Sequence, residues 1–191
     1  MHIAVYCASS TKIREEYFAA ARALGEGLAR RNIELINGAG NMGLMGASSD
    51  ACLAAGGKVT GVIPSFMVEQ RWHHTGLTRL IETRDMHERK QTIARLSDGC
   101  IALPGGCGTL EELMEIITWK QLGLYLKPIV ILNILNYYDP LLQQLQRGID
   151  EHFMGIRHAE IWKVATNPEE AIDLVLSTPL WDDSIRKFAA I

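Results

Sequence analysis

The chain has 191 residues, of which 48% are hydrophobic and 21% charged, and its formal net charge is −3. These values are typical of one globular domain with a sizeable core, and they exclude the basic excess of proteins that bind nucleic acid or anionic membranes. The N-terminal apolar run is too short for a signal peptide and no stretch approaches a membrane span, so we expect one cytoplasmic domain over 1–191.

Short apolar runs alternate along the chain with longer segments of helical periodicity. Strands are predicted at 3–7, 33–37, 58–63, 78–83, 100–104, 128–133 and 161–166. Helices are predicted at 13–31, 43–56, 86–97, 108–123, 136–153 and 168–177. This alternation predicts an α/β fold, with a parallel sheet of about seven strands and helices on both faces. Ligands of such sheets bind beyond the carboxyl ends of the strands, which selects the loops 8–12, 37–43, 64–77, 83–86 and 104–109.

The loop NGAGNMG at 37–43 contains Gly38, Gly40 and Gly43 at the spacing of a dinucleotide-binding loop. Two features argue against that function. The loop follows the second predicted strand instead of the first, and the next strand ends without an acid that could hold a ribose hydroxyl. The alternative is a tight turn that packs a helix against the sheet.

The loop PGGCGTLEE at 104–112 is the more specific feature, because it joins a predicted strand to a predicted helix. Glycines allow the backbone to approach a ligand closely, and a helix N-terminus offers free N–H groups to an anion. Thr109 could cap the helix or donate its hydroxyl to a phosphate. The sequence therefore predicts a phosphate site without a lysine.

Two interpretations of Glu112 remain open at this point. Thr109 to Glu112 fits the capping box T-x-x-E, which would give the carboxylate a structural role. However, Glu112 lies off the apolar stripe of its helix, and helical side chains lean toward the N-terminus. Its carboxylate would then lie over the glycine loop, where a ligand would bind.

Arg89 and Lys90 occupy positions of the helix 86–97 where the helical period favours apolar residues. An unpaired buried charge is costly, so a cation pair here either extends to solvent or meets an anion. The functional interpretation is a clamp on substrate, with Arg89 suited to bidentate binding of phosphate or carboxylate. Neither the histidines nor Cys107 has the spacing of a metal or nucleophile site, and no metal is expected.

PGGCGTLEE, MHERK and GAGNMGLMG together resemble the LOG ("lonely guy") family, the cytokinin riboside 5′-monophosphate phosphoribohydrolases, often labelled lysine decarboxylases. The resemblance, from the first strand to about residue 175, implies a Rossmann-like doubly wound sheet and a homodimer. It also implies hydrolysis of AMP or an N6-modified AMP to free base and ribose 5-phosphate, without a cofactor and with the nucleotide as the small-molecule partner.

The resemblance assigns site residues by their position in these motifs. Arg89 and Glu112 match the catalytic positions. The expected substrate-binding residues are Gly38, Gly40, Glu69, Lys90, Gly105, Gly106, Cys107, Gly108, Thr109, Leu110, Glu111 and Thr118.

The chain departs from the family pattern at two places. Ala39 stands where the family usually has the middle of three glycines, and Arg71 stands where it commonly has a substrate-contacting glutamate. An arginine has donors only and cannot accept a hydrogen bond from a base or sugar. Either Arg71 faces the site and favours acceptor-rich ligands, or Glu69 takes over the role and Arg71 lies outside; we expect the second.

Two other functions are compatible with such a fold, since a fold alone does not fix an activity. One is non-catalytic binding of a nucleotide or cofactor. The other is decarboxylation of an amino acid such as lysine with pyridoxal phosphate, which requires a Schiff-base lysine and a partner for the pyridine nitrogen. The sequence marks no such pair.

Overall fold

The computed structural model describes residues 1–182. Its seven strands are β1 to β7, at His2–Tyr6, Glu34–Asn37, Val59–Pro64, Arg79–Thr83, Gly99–Ala102, Ile129–Leu132 and Lys163–Ala165. Its α-helices are α1 to α7, at Glu15–Arg30, Gly43–Ala54, Ser65–Glu69, Met86–Leu96, Cys107–Gln121, Asp139–Asp150 and Pro168–Ser177. Short 3-10 helices lie at Ile134–Asn136 and Ile156–Glu160.

All strand pairs are parallel, in the order β4-β3-β2-β1-β5-β6-β7. The order reverses between β1 and β5, and loops diverge at such a point to leave a crevice above the sheet. The predicted Rossmann-like doubly wound sheet of seven strands is confirmed.

Two apolar layers enclose the sheet, because successive side chains of a buried strand point to opposite faces. In β1, Ile3 and Val5 pack in the layer formed with α1, α2 and α7, while Ala4 and Tyr6 pack in the layer formed with α4, α5 and α6. The predicted helices on both faces are therefore confirmed.

The segment 64–77, predicted as a loop, contains the short helix α3. Five residues are too few to show helical periodicity in the sequence, so the pattern gave no sign of it. The predicted helix at 136–153 is shorter at both ends than expected, because α6 begins at Asp139 with Pro140 in its first turn and ends at Asp150.

Candidate active site

A cavity of about 790 Å³ lies at the point where the strand order reverses. All five loops selected from the sequence lead into its walls. Its lining residues are Cys7, Ala8, Ser9, Ser10, Gly38, Gly40, Asn41, Met42, Met45, Phe66, Met67, Trp72, Met86, Arg89, Gly106, Cys107, Gly108, Thr109, Glu111 and Glu112. Such a volume suits a nucleotide-sized ligand.

The glycine loop at the end of β5 forms one side of this cavity. Helix α5 begins at Cys107, and the residues Gly106 to Thr109 line the cavity with its first turn. On the strand side of the loop, the Tyr137 hydroxyl donates to the Gly105 carbonyl at 2.7 Å. A side chain at Gly105 would meet Thr109 Oγ1 at 2.1 Å, so the loop requires glycine there. The loop thus brings to the cavity wall a helix end whose first N–H groups have no partners within the helix.

Of the two interpretations left open for Glu112, the capping box with Thr109 is not the one that the structure shows. Helix α5 starts two residues before Thr109, with Gly106 at the N-cap and no side chain capping it. Thr109 therefore lies inside the first turn, and the Glu112 carboxylate is directed to a partner on another helix.

That partner is Arg89 of α4. Arg89 Nη1 donates to Glu112 Oε1 at 3.0 Å, and Arg89 Nε donates to the Val62 carbonyl at 3.1 Å. Both side chains are buried, with 7% of Arg89 and 9% of Glu112 exposed, and both line the cavity. The alternative in which Arg89 extends to solvent is thus excluded by its burial.

Position and orientation of Arg89 follow from the elements around it. Asp85 caps α4 by accepting from the Glu88 N–H at 2.8 Å. Across the cavity edge, a Cβ added at Gly38 would lie 1.7 Å from Arg89 Nη2. The first glycine of NGAGNMG thus makes room for the guanidinium, which a dinucleotide interpretation did not anticipate.

Burial raises the pKa of Glu112 above the usual glutamate value, while the Arg89 charge and hydrogen bond act against that rise. The cause is the loss of hydration of a carboxylate in the protein interior. A carboxylate with a raised pKa is a stronger base than an exposed glutamate.

Lys90, the second member of the basic pair, is also buried but does not line the cavity. Its Nζ donates to Glu111 Oε1 at 2.8 Å and lies 3.3 Å from Glu115 Oε1. The anions that Lys90 meets are therefore carboxylates of α5, and it joins α4 to α5.

Four other expected substrate-binding residues lie outside the cavity lining. Gly105 precedes the lining residues of the loop, and Leu110 of α5 packs against the apolar layer on its side of the sheet. Thr118 donates its hydroxyl to the Met114 carbonyl at 2.8 Å. Glu69 is exposed at the end of α3, so the expectation that it faces this cavity is not met.

Arg71 is exposed in a left-handed conformation, with φ of 60°, and it too lies outside the cavity lining, as expected. The segment instead contributes Phe66, Met67 and Trp72. The sequence indicated the segment 64–77 but not these three apolar residues, because they lie outside the motifs that carry the family resemblance. The loop after β1, which the sequence did select, contributes Ala8, Ser9 and Ser10 to the lining.

Within the described residues 1–182, no helix is long and apolar enough to cross a membrane.

Comparison with known proteins identifies relatives over most of the chain. The family model described as "Possible lysine decarboxylase" matches residues 45–175. The chain is 41% identical over 186 residues to cytokinin riboside 5′-monophosphate phosphoribohydrolase LOG5 of Arabidopsis thaliana, across 97% of this chain and 82% of that protein. It is 42% identical over 171 residues to the probable enzyme of the same name, LOGL2, of Oryza sativa subsp. japonica, across 90% and 70%.

Solved structures share the fold. The molybdenum cofactor binding protein of Rippkaea orientalis matches with a TM-score of 0.71 and 25% identity, over 92% of this chain and 95% of that one. The molybdenum cofactor carrier protein of Chlamydomonas reinhardtii matches with a TM-score of 0.71 and 21% identity, over 93% and 98%.

Proposed function

Because this chain belongs to the LOG family of cytokinin riboside 5′-monophosphate phosphoribohydrolases, we propose that it hydrolyses the N-glycosidic bond of a nucleoside 5′-monophosphate. The substrate is AMP or an N6-modified AMP, and the products are the free base and ribose 5-phosphate. The single observation that supports catalysis in this chain is the buried pair of Arg89 and Glu112 inside a nucleotide-sized cavity.

The 5′-phosphate binds at the start of α5. Gly106 to Thr109 line the cavity there, and the N–H groups of the first helical turn have no partners within the helix. The helix dipole and these donors favour a dianion without a lysine. A phosphate fixed at this end places the sugar near Glu112, which lies one turn further along α5.

Glu112 acts on the sugar carbon and on water. As the C1′–N bond breaks, its electron pair goes to the base and positive charge develops on the ribose, as in glycoside hydrolysis. The Glu112 carboxylate stabilises that charge and accepts a proton from the attacking water, whose oxygen bonds to C1′. A proton reaches the base, so the reaction balances as nucleotide plus water giving base plus ribose 5-phosphate.

Arg89 keeps the Glu112 carboxylate ionised and oriented. Its hydrogen bond to the Val62 carbonyl fixes the guanidinium on the sheet, and the bond from Nη1 fixes Glu112 Oε1. Nη2, beside Gly38, is the donor nearest the loop 37–43 and is available to a substrate oxygen.

The decarboxylase interpretation is disfavoured by the position of Lys90. A Schiff-base lysine must reach the bound cofactor, whereas Lys90 is held by Glu111 and Glu115 outside the cavity. A homodimer in the cytoplasm remains part of the proposal and rests on the family resemblance. Light scattering of the purified protein tests the dimer.

Incubation of the purified protein with AMP, followed by assay of adenine and ribose 5-phosphate, tests the hydrolase. We expect Glu112→Gln to lower kcat by at least about a hundredfold, the scale of one acid–base group. Glu115→Gln is the matched control, because it removes a charge from the same helix outside the cavity. Binding of AMP without hydrolysis by the wild-type protein would instead indicate a nucleotide-binding protein.

A further inference from the structure

The cavity is chemically divided. Its charged lining residues, Arg89, Glu111 and Glu112, all come from α4 and α5. The large apolar side chains come mainly from α2 and from the segment around α3. They are Met42, Met45, Phe66, Met67, Trp72 and Met86. A ligand that fills this cavity must therefore have a charged end and an uncharged, apolar end.

Trp72 is held at the apolar side by its backbone. The Trp72 carbonyl accepts from the Asn41 N–H at 3.2 Å, and the His74 N–H donates to the Ala39 carbonyl at 2.8 Å. The Trp72 N–H donates back to the Met67 carbonyl at 3.2 Å. These bonds fix the segment to the loop 37–43, which also contains Gly38, the neighbour of Arg89.

The indole of Trp72 is nevertheless half exposed, at 51%, and so is the ring of Phe66 at 51%. Exposed apolar patches mark interaction sites, and two large aromatic side chains open to water beside a cavity are suited to contact with a ligand. Arg71, the preceding residue, is exposed outside the cavity with φ of 60°. At this point of the segment the cavity is therefore lined by Trp72 and not by the charged Arg71.

We propose that Trp72 stacks on the nucleobase and is a specificity-determining residue of this site, an inference that rests on the proposed function. A flat indole face recognises the π-surface of a base and is indifferent to the hydrogen-bonding groups at its edge. Stacking area therefore decides affinity, and purine monophosphates bind better than pyrimidine monophosphates. The sugar and phosphate make no use of Trp72, because their partners lie on α4 and α5.

Binding measurements separate the contribution of the base to affinity from that of the sugar phosphate. We expect Trp72→Ala to raise the Kd and KM for AMP at least about tenfold, the scale of one base–aromatic stack, with kcat changed far less. The Kd for ribose 5-phosphate should stay the same, and Trp72→Phe should recover most of the AMP affinity. Phe153→Ala is a matched control, since Phe153 is an aromatic residue exposed at 74% outside the cavity lining.

Fluorescence provides a second readout. The chain has four tryptophans, and AMP should quench indole emission in the wild-type protein but not in Trp72→Phe. Ribose 5-phosphate should leave the emission unchanged in both proteins.

Three results would overturn the inference: unchanged AMP affinity in Trp72→Ala, equal loss of AMP and ribose 5-phosphate affinity, or a changed oligomeric state of the variant. The last would make Trp72 an interface residue. A wild-type protein that binds AMP without hydrolysing it would contradict the hydrolase alone, because the Kd comparison still tests the stacking. A wild-type protein without affinity for AMP would contradict both.

Discussion

Arg89 and Lys90 are neighbours on α4, both buried and both paired with glutamates of α5, yet only Arg89 lines the cavity. Arg89 meets Glu112, which is as buried as itself, whereas Lys90 meets Glu111, whose side chain is 60% exposed. One step along a helix rotates a side chain by about 100°, which is enough to separate a site residue from a structural contact.

The pKa values of the two glutamates of α5 shift in opposite directions, although both cations act to lower them. Hydrogen bonding and charge from Lys90 lower the pKa of Glu111, whereas burial raises the pKa of Glu112. A cation on an apolar helix face therefore indicates an anionic partner without telling whether that anion is buried or catalytic. Burial of the anion makes the distinction, because Glu111 and Glu112 both line the cavity but only Glu112 is buried.

The largest effect on activity should come from removing the charge of Arg89, with removal of the charge of Lys90 as the comparison. We expect Arg89→Ala to lower kcat/KM for AMP at least about a hundredfold, because it leaves Glu112 without charge compensation or orientation. It should also weaken ribose 5-phosphate binding. Lys90→Met, assayed in parallel, should stay within about tenfold of the wild-type kcat/KM, since it removes no cavity-lining group. Equal losses in the two variants would abolish the distinction between the pairs.

A smaller effect is expected from Gly38→Ala, which alters Arg89 without touching its charge. The new Cβ would lie 1.7 Å from Nη2, so the guanidinium must move. Misplacement on this scale should lower kcat/KM by about tenfold to a hundredfold. Gly148→Ala serves as control, because its Cβ would meet Met154 Sδ at an ordinary 3.7 Å. Full activity of Gly38→Ala would show that the position of Arg89 is unimportant.

The pH dependence should separate the two glutamates. Hydrolysis needs ionised Glu112, so the acid limb of the kcat/KM profile should lie above the usual glutamate pKa of 4.5. The stabilising contribution of Glu111 is present above 4.5 and is lost as pH falls through its lowered pKa. Glu112 has the opposite sign: its contribution is present at low pH and is lost as pH rises through its raised pKa. Carbon-13 NMR titration of both carboxyls measures the two directions, and an acid limb below 4.5 would contradict the assignment.

The smallest effect concerns stability. Lys90→Met keeps the apolar stem and removes the charge, so the free energy of unfolding should change by less than about 1 kcal/mol. Urea denaturation measures this change. A much larger loss would mean that the Lys90 contacts with Glu111 and Glu115 are essential to the packing of α4 on α5.

The sequence predicted the parallel sheet of about seven strands, the helices on both faces and the loops around the cavity, because buried strands and amphipathic helices have clear periodicities. It also marked Arg89, which breaks the apolar period of its helix, and the family motifs joined it with Glu112 in one expected site; both residues line the cavity. Whether they act in catalysis stays a prediction.

Other features depended on contacts that no local pattern encodes. The capping box that was one interpretation of Thr109 and Glu112 does not form, because α5 begins at Cys107, two residues before Thr109. Lys90 was expected at the ligand, but its partners on α5 become visible only when the two helices are packed together. The apolar side around Trp72 was missed because a half-exposed tryptophan in a loop has no periodicity at all.

The attachment of Trp72 to the loop 37–43 has a consequence for how this enzyme family can diversify. The bonds from Asn41 and His74 join main-chain atoms, which exist whatever side chains the positions hold. Positions 66, 67 and 72 can therefore exchange side chains in evolution or in engineering while the backbone that presents them stays in place. Arg89 and Glu112, on rigid helices, would remain untouched. With the roles proposed for Trp72 and for Arg89 and Glu112, substrate range and bond cleavage would be separately heritable traits of one small domain.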